Sequence, residues 1–387
     1  MAPDVPLPYP SGAAVHVIEV ASSLREMGHE IHVIARRSSY DEPKVEIIDG
    51  VTIHRVNRFI LRPGRRRVST GSADAVSGSL VGSLYYLYLR TLFMVYASLA
   101  AIRVIGRYNL DVIVERETSF GAGGLASLLT GRPLVLEIVG PRYSRLSTLL
   151  SSSILYYTES MLHDWVDRGR CVKVTAGVNL ELFRPDSDAR RLVRSKLRLG
   201  DDSVIGYVGS FQGWHGVDTF LHATALLKER GARVALLLVG PSFEPYVPIT
   251  KSLGVSEQCI FVGPVVYKEV PGYINACDIL VAPYDPSKDP MRKKFGIGFP
   301  IKLLEYMACE KPVVSTSVPP IDSMLAGSEA IMLVEPGNPA SLADALERLT
   351  RDPGNAARMA KNGSKLVVEK YSWASFARVL SSQIAAA

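Results

Sequence analysis

The chain has 387 residues, 47% of them apolar, enough core-forming material for two ordinary domains and too much for a disordered or fibrous protein. Lys and Arg outnumber Asp and Glu by 44 to 38 and the pI is about 9.0, an excess that suits phosphates, nucleotides or lipid headgroups and is too mild to indicate nucleic acid. Cys171, Cys259, Cys277 and Cys309 stand singly in apolar surroundings, which argues for buried thiols in a reducing cytosol and against zinc or redox chemistry.

The N-terminal "MAPDVPLPYPSG" lacks the basic start and apolar run of a secretory signal. A loop, "PYPSGAAVHV", follows almost at once, so the first strand of the doubly wound domain is expected to be missing or shortened. "AAVHVIEVASSLREMG" reads as a helix and "HEIHVIAR" as a strand. Arg62, Arg65, Arg66 and Arg67 in "LRPGRRRVS" form a basic loop, either simply solvated or facing an anionic surface. The apolar run from Leu80 to Ile105 is interrupted by Arg90 and Arg103. An Arg near the middle of a span costs roughly 2.5 to 3.5 kcal/mol, so a buried or interfacial helix is expected, with peripheral membrane contact open. "DVIVER" and "PLVLEIVG" read as strands flanking the helix "GAGGLASLLTG", which Gly131 closes.

Charges and a Pro break the apolar rhythm in "FRPDSDARRLVRSKLRLGDDS", the expected linker. Beyond it a second strand and helix alternation runs from "DDSVIGYVGSF" through "VDTFLHATALLKERG", "RVALLLVG", "CIFVGPV", "VPGYINAC" and "DILVAPY" to "PASLADALERLTRD". Such alternation predicts parallel sheets with crossover helices, hence two α/β domains, residues 1–184 and 185–371, with a cleft between them. Residues 372–387, "SWASFARVLSSQIAAA", form a final amphipathic helix.

Three stretches are candidates for binding an anion. In "YVGSFQGWHGVDTF" a strand ends at Gly209 and Ser210, a glycine-relieved loop follows, and a helix starts near Val217; amides and the helix dipole there can face a phosphate, with His215 as a further donor. The same glycines equally suit a plain tight turn. In "FPIKLLEYMACEKPVV" a helix starting near Pro300 carries Leu303, Leu304 and Met307 on its apolar face, with Glu305 at the border and Lys302 one turn behind. A carboxylate so placed can accept two sugar hydroxyls, bonds of roughly 1.5 to 3 kcal/mol each; alternatively the two residues form a solvated ion pair. Ser11 and Gly12 open the first helix with a third such turn. His54, His163 and His222 lack metal-ligand spacing, and no nucleophile elbow occurs.

With these residues in view, the chain resembles the glycosyltransferases of family 4, the glycogen-synthase-like enzymes of GT-B fold. The resemblance spans nearly the whole chain and rests on "PSGAAVHVIEVASSLREMGHEIHVIA", "VTAGVNLELFRP", "VGSFQGWHGVDTFLHATALL", "CDILVAPY", "FPIKLLEYMACEKPVVST" and "YSWASFARVL". It implies an α/β, GT-B architecture of two Rossmann-like domains facing a central cleft, with the last helix crossing back to the first domain. It implies transfer, with retention, of a hexose from a nucleotide-sugar donor to a glycan or lipid-linked acceptor, without metal or cofactor. The expected location is the cytoplasm or the inner face of the membrane. By the same resemblance Glu305 holds the ribose hydroxyls, amides of Ile301, Lys302 and Leu303 meet the donor phosphates, and Gly209, Ser210 and Gly12 fall on phosphate-facing turns.

The chain also departs from the family. Ile297 stands where the first Glu of the family's paired signature would contact the donor sugar, and Ser210 and His215 stand near the places of its phosphate-binding Arg and Lys. Lys302 is expected to supply that charge. Val139-Gly140 replaces a His-Gly near the reacting centre, leaving Glu137, Arg116 and His215 as the candidate catalytic groups. The connection between "VGPRYSRLS" and "ILYYTES" is short. A catalytically weak or inactive nucleotide-sugar-binding protein, or an epimerase of the same fold, are the alternatives.

Overall fold

The structure, a computed structural model, describes residues 1–7, 11–37, 39, 41–57, 80–117, 121–200, 202–325 and 327–387. The arginines at 62 and 65–67 lie outside these. The chain divides into two compact units, one of Met1–Val174 with Ala377–Ala387 and the other of Thr175–Phe376. The division thus falls ten residues before the expected one. The helix Trp373–Ala386 starts in the second unit and ends in the first.

Unit 1 contains strands β1 (Ala2–Pro6), β2 (His32–Arg36), β3 (Val45–Ile48), β4 (Val51–Val56), β5 (Ile113–Glu117), β6 (Leu134–Ile138), β7 (Ser153–Tyr156) and β8 (Cys171–Lys173). They form two four-stranded sheets, ordered β1-β2-β4-β3 and β5-β6-β7-β8, parallel except for the β3–β4 hairpin. The two meet edge to edge at Met1, whose carbonyl accepts from Arg116 N at 2.9 Å and whose amino group donates to Val114 O. The first strand is therefore present, contrary to the sequence-based expectation. Asp4 and two prolines hide it, yet Ala2 and Val5 bury their side chains and it pairs with β2.

Three helices of unit 1 pack in a row beside the two sheets. The helix Leu80–Tyr108 packs on Ala122–Thr130, which packs on Arg145–Leu150. Phe93, Ala97, Ala101 and Ile105, spaced by four, are buried. Three of them, Phe93, Ala101 and Ile105, pack with Ile34, Val56, Ile113 and Leu134. The first helix, Gly12–Glu26, starts at Ser11, whose hydroxyl accepts from Ala14 N at 3.2 Å. Ser381 and Gln383 of the last helix bond His29 and Ser153 at 2.8 and 2.7 Å.

Unit 2 is a six-stranded parallel sheet of β9 (Ser203–Val208), β10 (Val234–Val239), β11 (Cys259–Val262), β12 (Ile279–Ala282), β13 (Val313–Thr316) and β14 (Met332–Val334), in the order β11-β10-β9-β12-β13-β14. The central strands are apolar nearly throughout because both faces are covered. The expected linker is a helix, Ser187–Leu197, inside this unit. Asp186 caps it, Val193 is its buried contact, and Arg190 and Arg194 reach Asp278 at 2.6 and 3.3 Å. These two arginines face a partner at the start of β12, which a hydropathy pattern does not distinguish from solvent.

Candidate functional site

Strand order in unit 2 reverses direction between β9 and β12, and in such sheets ligands bind outside the C-terminal ends of the strands at this switch point. Tyr207 near the end of β9 and Tyr284 just after β12 flank the gap. Tyr207 is fully buried, and its hydroxyl donates to Ser210 O at 2.5 Å and lies 3.1 Å from His215 Nδ1.

The helix Ile301–Ala308 is tied to the end of β9 through Tyr306, whose hydroxyl donates to Val208 O at 2.7 Å and accepts from Val208 N at 2.9 Å. This lock brings Lys302 to the switch point. Lys302 Nζ donates to Tyr207 OH at 3.0 Å and stands 4.7 and 5.2 Å from the ring centroids of Tyr207 and Tyr284. Gly209 makes room for it, since a Cβ there would lie 2.8 Å from Nζ. Burial of the ammonium lowers Lys302 to about 7, with Glu305 acting the other way.

A second cation is nearby. Arg292, on the helix Pro290–Phe295, lies 4.6 Å over the ring of Trp214, which stacks on Tyr284 at 5.7 Å. Among the described residues neither Lys302 nor Arg292 forms an ion pair. Glu305 and Asp289 act on Lys302 and Arg292 electrostatically without forming an ion pair with them, and two half-buried cations so placed beside a switch point suit an anion.

His215 is fixed in one tautomer. Its Nδ1 faces the carbonyl of Ser210, an acceptor only, so Nδ1 carries the proton and Nε2 is left as an acceptor. Burial, then the charge of Lys302, holds its pKa down to about 2, with Arg292 adding to the effect. At neutral pH His215 is therefore not a cation for phosphate, and Nε2 suits a hydroxyl donor instead. Gly216 follows in a left-handed conformation, φ +69°, against Pro283 O. Glu305 accepts from Tyr267 OH at 3.1 Å and its helix neighbours Leu303, Leu304, Tyr306 and Met307 are buried. The amides of Ile301 and Leu303, expected to face phosphate, bond the carbonyls of Phe299 and Pro300. Ile297 is 6% exposed and packs in the core. Among the described residues no group of three His, Cys, Asp or Glu side chains could hold a metal.

In unit 1, two of the candidates lie on neighbouring strands. Arg116 and Glu137 are register partners on β5 and β6. Glu137, 4% exposed, is engaged by His16 Nε2 at 2.8 Å and by Tyr157 OH. Burial would raise its pKa, but His16, Arg116 and these bonds outweigh it and hold the carboxyl below its ordinary value. Gly12 stands at a helix start where an added Cβ would touch nothing.

Of the predicted residues the structure thus brings together Gly209, Ser210, His215 and Lys302, with Glu305 one turn further on. Tyr207, Tyr284, Arg292 and Tyr267 had been missed. An aromatic at the end of each of two neighbouring strands was a usable signal for the tyrosines; "MRKKFG" offers none that singles out Arg292.

Two Rossmann-like units in one chain, the second with two cationic side chains at its switch point, are the architecture of a GT-B glycosyltransferase. A family model of glycosyl transferases group 1 matches residues 202–352 and one of glycosyltransferase family 4 matches residues 10–168, and the chain belongs to this family. A D-inositol 3-phosphate glycosyltransferase of Frankia alni is 26% identical over 394 residues, covering 95% of this chain and 92% of that protein. One from Streptomyces bingchenggensis is 30% identical over 227 residues, 56% of this chain and 47% of its relative, so the chain spans about half of that protein. The structure of Anabaena HepE in complex with UDP and glucose superposes with a TM-score of 0.71 at 16% identity, covering 98% and 97% of the two chains.

Proposed function

We propose that this glycosyltransferase moves a hexose, with retention, from a nucleotide-sugar donor to a glycan or lipid-linked acceptor. The observation that carries this reading is the placement of two cations, Lys302 and Arg292, which form no ion pair among the described residues, at the switch point beside Glu305. The donor's diphosphate lies against Lys302 and Arg292, and Glu305 accepts the ribose hydroxyls. His215 Nε2 accepts a hydroxyl of the sugar. Cations fixed before the reaction stabilise the charge that builds on the departing diphosphate without reorganising, and such preorganisation is usually the largest catalytic contribution. That HepE is described with UDP and glucose supports the same donor class. Thermal-shift screening with nucleoside diphosphates and their sugars tests the binding half, because a ligand of the folded state raises its melting temperature. If no nucleotide raises it, the reading fails.

One observation favours a second reading. Ile297 is packed into the core where the family resemblance leads one to expect a carboxylate on the donor sugar. A protein that binds the donor but turns it over poorly fits that substitution. Release of labelled sugar from the donor, measured with and without acceptor glycans, separates the two.

A further inference from the structure

A cavity of about 260 Å³ lies within unit 1, between its first helix, the last helix and the strands β2 and β5. Much of its wall is apolar: Val17, Ala21 and Leu24 from the first helix, Leu380 and Ile384 from the last, and Val33 from β2. An apolar cavity of about 150 Å³ stays dry and takes up a molecule such as benzene. One of this size suits a longer apolar body.

Several polar groups that border the cavity are engaged with one another. His29 bonds Ser381 at 2.8 Å, His32 bonds His54 and Glu30 at 2.9 and 3.0 Å, and Glu137 is bonded by His16 and Tyr157. Arg116 differs. Its Nε is buried with no hydrogen-bond partner, and among the described residues its guanidinium makes no ion pair. Glu137 acts on it electrostatically from the neighbouring strand, yet the bonds of that carboxylate go to His16 and Tyr157. A buried donor without an acceptor is costly, and an acceptor brought by a ligand relieves that cost. Asp111 and Glu30, both exposed, also border the cavity, and their charge disfavours a second anionic group on the ligand.

We propose that this cavity binds an unbranched monocarboxylate, its carboxylate accepting from the Arg116 guanidinium and its alkyl chain lying between the first and last helices. A carboxylate matches the fork of donors that a guanidinium presents. The volume equals that of roughly nine water molecules in the liquid, which fits a chain of about eight carbons. Such a ligand touches the first helix on one side and the last eleven residues on the other, and so ties the two parts of unit 1 together. The proposal does not rest on the nucleotide site, whose residues all belong to unit 2.

Thermal-shift titration of the full chain with n-alkyl carboxylates from butanoate to dodecanoate, beside the alcohols of equal length, tests it. Each added methylene should tighten carboxylate binding about fourfold up to about eight carbons, and by little beyond. The matching alcohol should bind roughly tenfold more weakly, for want of the charge. Octanedioate should bind more weakly than octanoate. Arg116→Met should erase the preference for carboxylate over alcohol, and Ala21→Phe, which fills the cavity, should abolish binding of both. Where one variant fails to fold, the other decides together with the wild-type ratio of carboxylate to alcohol. No shift with any carboxylate overturns the proposal, as does equal binding of carboxylates and alcohols by the wild type. Undiminished binding by Ala21→Phe would place the ligand elsewhere and overturn it too.

Discussion

Lys302 gives the sharpest prediction, because its burial makes anion binding a proton-linked event. With a pKa of about 7 in the free protein, only about a tenth of Lys302 is charged at pH 8. A diphosphate brought to about 4 Å adds roughly 4 kcal/mol of attraction per charge at the effective dielectric of a half-buried site, worth about three pKa units. That returns Lys302 to near its ordinary value, so binding at pH 8 should take up about 0.9 proton. The phosphate contributes little there, since its second ionisation lies near pH 6. Calorimetry of nucleoside diphosphate binding in buffers of different ionisation enthalpy reads the uptake as a slope. Affinity should also fall by up to about tenfold per pH unit above 7. Lys302→Met should abolish the slope and weaken binding. A wild-type slope near zero, or an unchanged slope in Lys302→Met, refutes the placement of the ammonium at the diphosphate.

Arg292→Met should weaken nucleoside diphosphate binding roughly tenfold and leave the proton uptake in place, since the guanidinium does not titrate; equal affinity would remove Arg292 from the site. Glu305→Gln should cost about tenfold for a ribonucleoside diphosphate and much less for its dideoxy analogue, where the hydroxyls are missing. An equal loss for both would deny the contact to ribose. Gly216→Ala places a Cβ 1.8 Å from Pro283 O in a left-handed conformation. It should destabilise the protein by more than about 2 kcal/mol, a fall in melting temperature of roughly 4–8 °C; an unshifted melting curve would contradict the loop geometry.

Parallel strands and crossover helices were legible because each apolar run has its own length and period, and those survive in one dimension. The strand Ala2–Pro6 was not, because its burial comes from pairing with β2 and not from composition. The helix Ser187–Leu197 was misread for the converse reason, since arginines aimed at Asp278 look in sequence like arginines aimed at water. In the site, glycines announced the turn at Gly209 and an acid at a helix border announced Glu305. The role of His215 depended on which carbonyl its ring faces, and that of Arg292 on a ring far away in sequence. Both are properties of side-chain direction, which spacing along the chain does not encode. Glu310, in a left-handed conformation at φ +53° just past the helix Ile301–Ala308, stands where a helix ordinarily closes with Gly.

Unit 1 is assembled from two separated parts of the chain, and the second is its last eleven residues. Leu380 is buried, and the bonds from Ser381 and Gln383 close the surface around His29 and Ser153. A nascent chain therefore holds every residue of Thr175–Phe376 before it holds a complete unit 1. The part made first is finished last, and during synthesis the second unit can mature while its older neighbour still waits for a closing helix.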